Sequence, residues 1–224
     1  MLKTVMGAAI VAAGIAMAPS AGFACEGGKV LMDDNFTKLN SAWGVSLNAP
    51  SETLDADGLT VDYQPGSVKR ALSQWGYFDN SVACATFSVS YKCGDPAKCD
   101  TQPYVGLVVL GSDLANYYTF EVAPLVGIYS VQRLQNNRWL TPVAWTKLPS
   151  GKRYLSGSKF ELSAVVQGGN VVFKLDNQVV AEFEGLAPEG GSLVGFELAA
   201  AQKGDVKSKL SLSSFEVREI APTQ

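Results

Sequence analysis

The chain has 224 residues, with 18 Lys+Arg against 21 Asp+Glu, a formal net charge of −3, four cysteines and no histidine. The missing histidine excludes Ser-His-Asp and Cys-His nucleophile arrangements and any His-ligated metal. A mildly acidic balance without a basic block excludes the electrostatic footprint of a nucleic-acid binder.

The first residues read as a leader. Lys3 supplies the positive start, Val5 to Ala18 is apolar, and small residues stand at Gly22 and Ala24, where a signal peptidase reads. The apolar run is short for a membrane span. The expectation is a signal peptide over 1–24, export to the periplasm or beyond, and one domain over 25–224, long enough for an ample core. A lipid anchor on Cys25 is the alternative. It is disfavoured because Gly22 stands where a lipobox usually carries an aliphatic residue. No later segment is apolar enough to be transmembrane.

All four cysteines follow the leader, and an even count in an exported chain implies two disulfides. Cys93 and Cys99 bracket a short loop of turn residues, so they are paired, which leaves Cys25 with Cys84. Their spacings repeat no zinc pattern.

Taken in order, the elements are short and period-two. Lys29 to Phe36 reads as a first strand, and Trp43 as a core anchor of the entry loop. Asp57-Gly58 lies between two alternating runs, a hairpin signal. Asp55-Ala56-Asp57-Gly58 lacks the later ligands of a calcium loop. After a Pro65-Gly66 turn comes Arg70 to Phe78. Ser81 to Tyr91 is apolar or small on both faces and belongs inside a sheet.

Four strands then run from Tyr104 to Trp145. Val105 to Leu110 is continuously apolar, and Gly111-Ser112-Asp113 should turn it. In Asn116 to Val122, Tyr118, Phe120 and Val122 should face the core while Tyr117, Thr119 and Glu121 face out. Asn136-Asn137 separates Ile128 to Leu134 from Arg138 to Lys147. Phe160, Leu162, Ala164 and Val166 then point inward. Val171, Phe173 and Leu175 do likewise, followed by Val179, Ala181 and Phe183, with turns at Gly168-Gly169 and Asp176-Asn177. In the last strand the apolar phase slips between Leu210/Leu212 and Phe215/Val217, which predicts a β-bulge at Ser213-Ser214. No helical period persists. The fold class is all-β, a sandwich of two antiparallel sheets.

This order of features resembles the concanavalin A-like lectin/glucanase jelly rolls, near the secreted bacterial 3-keto-disaccharide hydrolase-like (LamG-like) domains. The matching pieces are Asp33-Asp34-Asn35-Phe36 with Trp43, Asp57-Gly58-Leu59, and Gly106-Leu107-Val108-Val109. Further on they are Tyr117 to Val122, Gly127 to Arg133, Trp139 with Trp145, Gly195-Phe196 and Ser214-Phe215-Glu216-Val217. The resemblance covers nearly all of the chain after the leader. It implies a jelly-roll sandwich whose concave face takes a carbohydrate. The Glu-x-Asp-x-x-Glu strand of the laminarinase-type members is absent, so their paired-carboxylate mechanism does not carry over. Keto-sugar-cleaving relatives are expected to use residues that include His, and this chain has none.

The candidate ligand-binding residues are Trp75, Tyr117, Glu121, Arg133, Trp139 and Trp145: aromatic rings to stack on sugar faces and polar groups to fix hydroxyls. Against this stand plainer readings. Trp139 and Trp145 could be core, and Arg133 could pair with Glu121 across strands. No catalytic residue is assigned; Glu121 is the alternative acid/base. No cofactor is expected, although Asp33, Asp34 and Asp205 could supply a structural calcium site. The function expected is a non-catalytic, lectin-like carbohydrate-binding module. The alternatives are a glycoside-cleaving enzyme and a structural or interaction module of the cell envelope.

Overall fold

Alternation of apolar and polar side chains sets the architecture, seen in a computed structural model that describes residues 25–93, 102–201 and 206–221. The leader, the loop carrying Cys99, and Asp205 lie outside the described residues. The elements are β1 (Val30–Asp34), a 3-10 turn (Ser41–Trp43), β2 (Glu52–Asp55), β3 (Gly58–Tyr63), β4 (Val68–Leu72), β5 (Ser81–Cys93), β6 (Tyr104–Asp113) and β7 (Asn116–Ala123). They continue with β8 (Ile128–Gln135), β9 (Arg138–Lys147), β10 (Lys159–Gln167), β11 (Asn170–Leu175), β12 (Gln178–Glu184), β13 (Leu193–Ala199) and β14 (Val206–Glu219). Among the described residues no helix is long and apolar enough to cross a membrane.

Two antiparallel sheets face one another. One is eight-stranded, in the order β12-β11-β10-β5-β14-β3-β2 with β1 also on β14; the other is six-stranded, β4-β13-β6-β7-β8-β9. The inward sets meet between them. Phe87, Phe160, Phe173, Leu210 and Phe215 come from the first sheet, and Leu107, Phe120, Val131 and Phe196 from the second. Phe120 stacks on Phe173 across the sandwich at 4.6 Å. Near the chain start, Trp43 packs against Phe36, Phe196 and Phe215 at 5.0 to 5.3 Å between ring centres. It therefore joins both sheets, as a core anchor should.

The slip expected in the last strand is real. Ser213 is skipped between the Leu212 and Ser214 pairings with β5, and Leu210, Leu212, Phe215 and Val217 are all buried on one face. Asn136-Asn137 and Asp176-Asn177 both hold positive φ, which suits two-residue hairpins whose twist matches the strands. Gly58 must be glycine. Its φ is +101°, and a Cβ there would sit 2.4 Å from the carbonyl oxygen of Leu212.

Three local expectations change. Only Val68–Leu72 of the stretch before Phe78 is strand, and 73–77 is a loop. β6 does not turn at Gly111-Ser112-Asp113. Leu110 takes a positive φ, the ladder is disrupted there, and pairing resumes as Asp113 opposite Asn116. Val179 faces out, because the register of β11 with β12 shifts between Phe173 and Lys174 and Val180 packs on the core instead.

The Cys25–Cys84 disulfide is present, with Cα atoms 5.7 Å apart. It ties the start of the described chain to central strand β5. Asp34 accepts hydrogen bonds from the Phe36 amide, Asn40 and the Trp43 indole at 2.8, 2.9 and 2.8 Å. Asp34 is thus a hydrogen-bond hub, its carboxylate taken by three N–H donors. Among the described residues no group of three or more His, Cys, Asp or Glu is placed to hold a metal ion.

The disulfide closes a span of 59 residues. Chain-entropy arguments put its loss at about 4 kcal/mol. The double substitution C25S/C84S should lower the unfolding free energy by an amount close to that, read from urea melts as a lower midpoint. An unchanged midpoint would show that the tether carries no stability.

Candidate functional site

The outer face of the six-stranded sheet is strongly concave. β4 and β9 are its opposite edges, about 24 Å apart if the sheet were flat. Yet the Arg70 guanidinium of β4 lies 5.1 Å from the ring centre of Trp139 on β9. Likewise Tyr104 on β6 and Trp145 on β9 are three strands apart, with ring centres only 5.6 Å apart. Both tryptophans of the edge strand therefore fold back over the face.

Beneath these contacts one row of side chains crosses the sheet. Pairing aligns Arg70 with Glu197, Glu197 with Gly106, Gly106 with Glu121, and Glu121 with Ser130. Arg70 binds Glu197 with both forks, Nε to Oε2 at 2.9 Å and an Nη to Oε1 at 3.0 Å. Tyr104 donates to Glu197 Oε1 at 3.2 Å. Gly106 makes room between the two glutamates. A Cβ there would lie 2.6 Å from Thr119 Oγ1 and 3.3 Å from Glu197 Cβ.

The two carboxyls differ in environment. Burial, then the charge of Glu197, pushes the Glu121 carboxyl up to about 9, with Arg70 partly opposing. Glu121 is therefore a neutral acid at physiological pH, able to donate a hydrogen bond. Tyr104 and Tyr117 are also pushed well up, by burial first and by Glu197 second. The Tyr117 hydroxyl and Thr119 Oγ1, both buried, find no hydrogen-bond partner among the described residues. A polar row continues toward β9, where Thr141 donates to Gln132 at 2.9 Å, Gln132 to Ser130, and Ser130 to the Val143 carbonyl at 2.8 Å.

Tyr117, Glu121, Trp139 and Trp145 are thus brought together on one face. Tyr117 and Glu121 point away from the sandwich core, as their alternation requires, but they are only 2% and 4% exposed because the sheet curls over them. Trp139 and Trp145 are each 41% exposed and stand at the rim. Tyr117 meets Trp139 edge-on at 6.0 Å. Arg133 is elsewhere. It lies in register with core-facing Tyr118, over whose ring its guanidinium sits at 5.1 Å, so it cannot pair with Glu121, whose β8 neighbour is Ser130. Trp75, 48% exposed, lies in the 73–77 loop beyond the end of β4.

Arg70, Tyr104, Gly106 and Glu197 belong to the site and were not singled out from the sequence. The signal available was a lone charge in an apolar strand, Glu197 between Phe196 and Leu198. Nothing local says that β13 lies beside β6 and β4.

No protein-family model matches the chain, and no curated protein sequence matches it. Solved structures do. The carbohydrate-binding module CBM66 from Bacillus subtilis aligns at 13% identity over 73% of this chain and 89% of that one, with a TM-score of 0.51. A Bacteroides ovatus mixed linkage glucan PUL GH16 protein, in complex with a product, aligns at 10% identity over 84% and 99%, TM-score 0.57. A mutant of the GH43 protein BlXynB from Bacillus licheniformis aligns at 15% identity over 84% of this chain but 39% of its own, TM-score 0.59. What is shared at these identities is the fold, a jelly-roll sandwich of two antiparallel sheets.

Proposed function

We propose that the chain is an exported, non-catalytic carbohydrate-binding module that docks a glycan along the concave face of its six-stranded sheet. The observation that carries this is the pair Trp139 and Trp145. They stand six residues apart on one edge strand, about 20 Å along it, and turn back over the same face. Both are half-exposed, and each is braced edge-on by a tyrosine of the floor, Trp139 by buried Tyr117 and Trp145 by half-buried Tyr104. Rings held in this way offer apolar faces to sugar rings at low entropic cost. Gln132 and Thr141 supply amide and hydroxyl groups beside them. The shared fold of a carbohydrate-binding module and glycoside hydrolases supports the same reading. The Cys25–Cys84 bond supports export, since disulfides persist in oxidising compartments.

A glycoside-cleaving reading would draw on Glu121 and Glu197, whose environments differ as an acid and a carboxylate partner should. Their setting argues against it. Glu197 is fully buried with both oxygens held by Arg70, and Glu121 is almost wholly buried beside it. Little carboxyl surface is left on either for a substrate to meet, which favours the binding reading.

Calorimetric titration with a panel of oligosaccharides should find binders. W145A should then weaken binding on the order of 10-fold, the scale of one lost aromatic contact. No binding across the panel, or wild-type affinity in both W139A and W145A, defeats the proposal.

The raised Glu121 acid has its own consequence. The folded chain keeps this proton to about pH 9, whereas the unfolded chain releases it near the ordinary value of about 4.3. The folded state therefore holds the extra proton between those limits, and stability falls as pH rises through that window. E121Q removes this contribution. Its melting temperature relative to the native chain should rise between pH 5 and pH 8. A difference that does not change with pH would mean that Glu121 is not held neutral.

A further inference from the structure

The concave face does not stop at Trp139. Leu72, Val108, Tyr117 and Leu134, with Leu193 against them, form an apolar patch on that side of the sheet. Leu72 and Leu193 from this patch also line a cleft of about 510 Å³ at the far end of β6. One wall is the 73–77 loop, with Gln74 and Tyr77. The other is the β6–β7 hairpin, with Ser112, Asp113 and Leu114. Tyr77 is 64% exposed and Leu114 51%, so both walls offer apolar surface to an incoming group.

The walls are built rather than loose. The 73–77 loop is pinned by the amides of Ser73 to the Val194 carbonyl at 2.8 Å, Gln74 to Ala42 at 2.5 Å, and Phe78 to Ser192 at 2.9 Å. The hairpin is pinned by Asp113, which accepts from the Ala115 amide at 2.7 Å and from Asn116 at 3.0 Å. Gly44, at φ +65°, leaves space for the Gln74 side chain, which a Cβ would meet at 2.7 Å. The Gln74 amide has no side-chain hydrogen bond among the described residues.

The chemistry of this lining is selective. An apolar floor, an aromatic wall, the Gln74 amide and the hydroxyls of Tyr77 and Ser112 suit a ring that is apolar on its face and hydroxylated at its edge. The charged lining group, Asp113, repels anions and has its oxygens committed to the hairpin. We propose that this cleft is an added subsite that takes one sugar ring of a neutral oligosaccharide whose other rings lie on Trp139 and Trp145. The proposal rests on the glycan reading above. It makes the chain selective for length, because the ligand must run along the strands from Trp145 past Trp139.

The test is titration of the full chain with neutral oligosaccharides of glucose, xylose, mannose, galactose, fructose and N-acetylglucosamine, each at increasing length, and with oligogalacturonides. In the series that binds, affinity should rise with length. Y77A and Q74A should remove the last increment, with Y77A costing about 10-fold, the scale of one aromatic contact. Both variants should leave the shorter members unchanged, whereas W145A should weaken every length it contacts. Wild-type affinity in Y77A and Q74A at all lengths, with W145A still impaired, overturns the subsite alone. A Y77A-sensitive gain with oligogalacturonides overturns its neutral selectivity. Failure of every saccharide to bind removes the glycan reading and this proposal with it. Melting curves show whether each variant is folded.

Discussion

Arg70 touches both sides of the concave face. Its fork fixes Glu197, which is wholly buried, and its flat surface covers the ring of Trp139 on the opposite edge strand. A carboxylate buried this deeply is tolerable only with a charged partner in good geometry. Removing one member of such a pair typically costs about 3–5 kcal/mol, mostly from the charge left behind. The same contact holds the sheet in its curl. Glu197 in turn helps to hold Glu121 neutral, an effect that Arg70 partly opposes. The floor then carries one balanced ion pair and one uncharged acid, a surface suited to neutral hydroxyl groups.

That arrangement explains why two glutamates on one face need not form a reaction centre. A glycosidase uses its carboxyls on the substrate, so both must reach it. Here the fork of Arg70 occupies one, and the other is almost wholly buried. The groups left accessible are the rims, Trp139 and Trp145, and the cleft beyond them. On the proposed reading, a sugar on this surface would draw its binding energy from stacking and shape. The fold itself is neutral on the question, since the same sandwich serves binding modules and hydrolases.

Much of this was legible in the sequence because β-structure writes itself in period two. The opposition of Tyr118, Phe120 and Val122 to Tyr117, Thr119 and Glu121 is a purely local signal, and the chain obeys it. The Ser213 bulge was legible for the same reason, since a phase slip between two apolar pairs has one simple mechanical remedy. Strand order is different. Glu197 joins Glu121 only because β13 and β7 flank β6, and Arg70 joins them because β4 lies beyond β13. Those neighbours are separated by long stretches of chain, and no spacing records them. Arg133 was misleading for a related reason. It is polar and close in sequence to Ser130 and Gln132, but its parity puts it on the face of Tyr118.

The opposite sheet offers a control on how far a perturbed carboxyl can be read as a site. Glu161 is also buried, and burial, then the charge of Asp176, pushes it up to about 7. Asp176 accepts from the Glu161 amide at 3.0 Å, from Lys152 at 2.6 Å and from the Tyr154 hydroxyl at 2.5 Å. That cluster braces the turn after β11 against the segment leading into β10. It lacks the exposed tryptophans that mark the concave face, and the pocket beside it, lined by Lys152, Tyr154 and Leu175, holds only about 20 Å³. Titration behaviour therefore does not distinguish the two faces. The difference lies in what surrounds the acid: on one side a brace of charges, on the other aromatic rims continuous with an open cleft, which is where a ligand has both surface to gain and a way in.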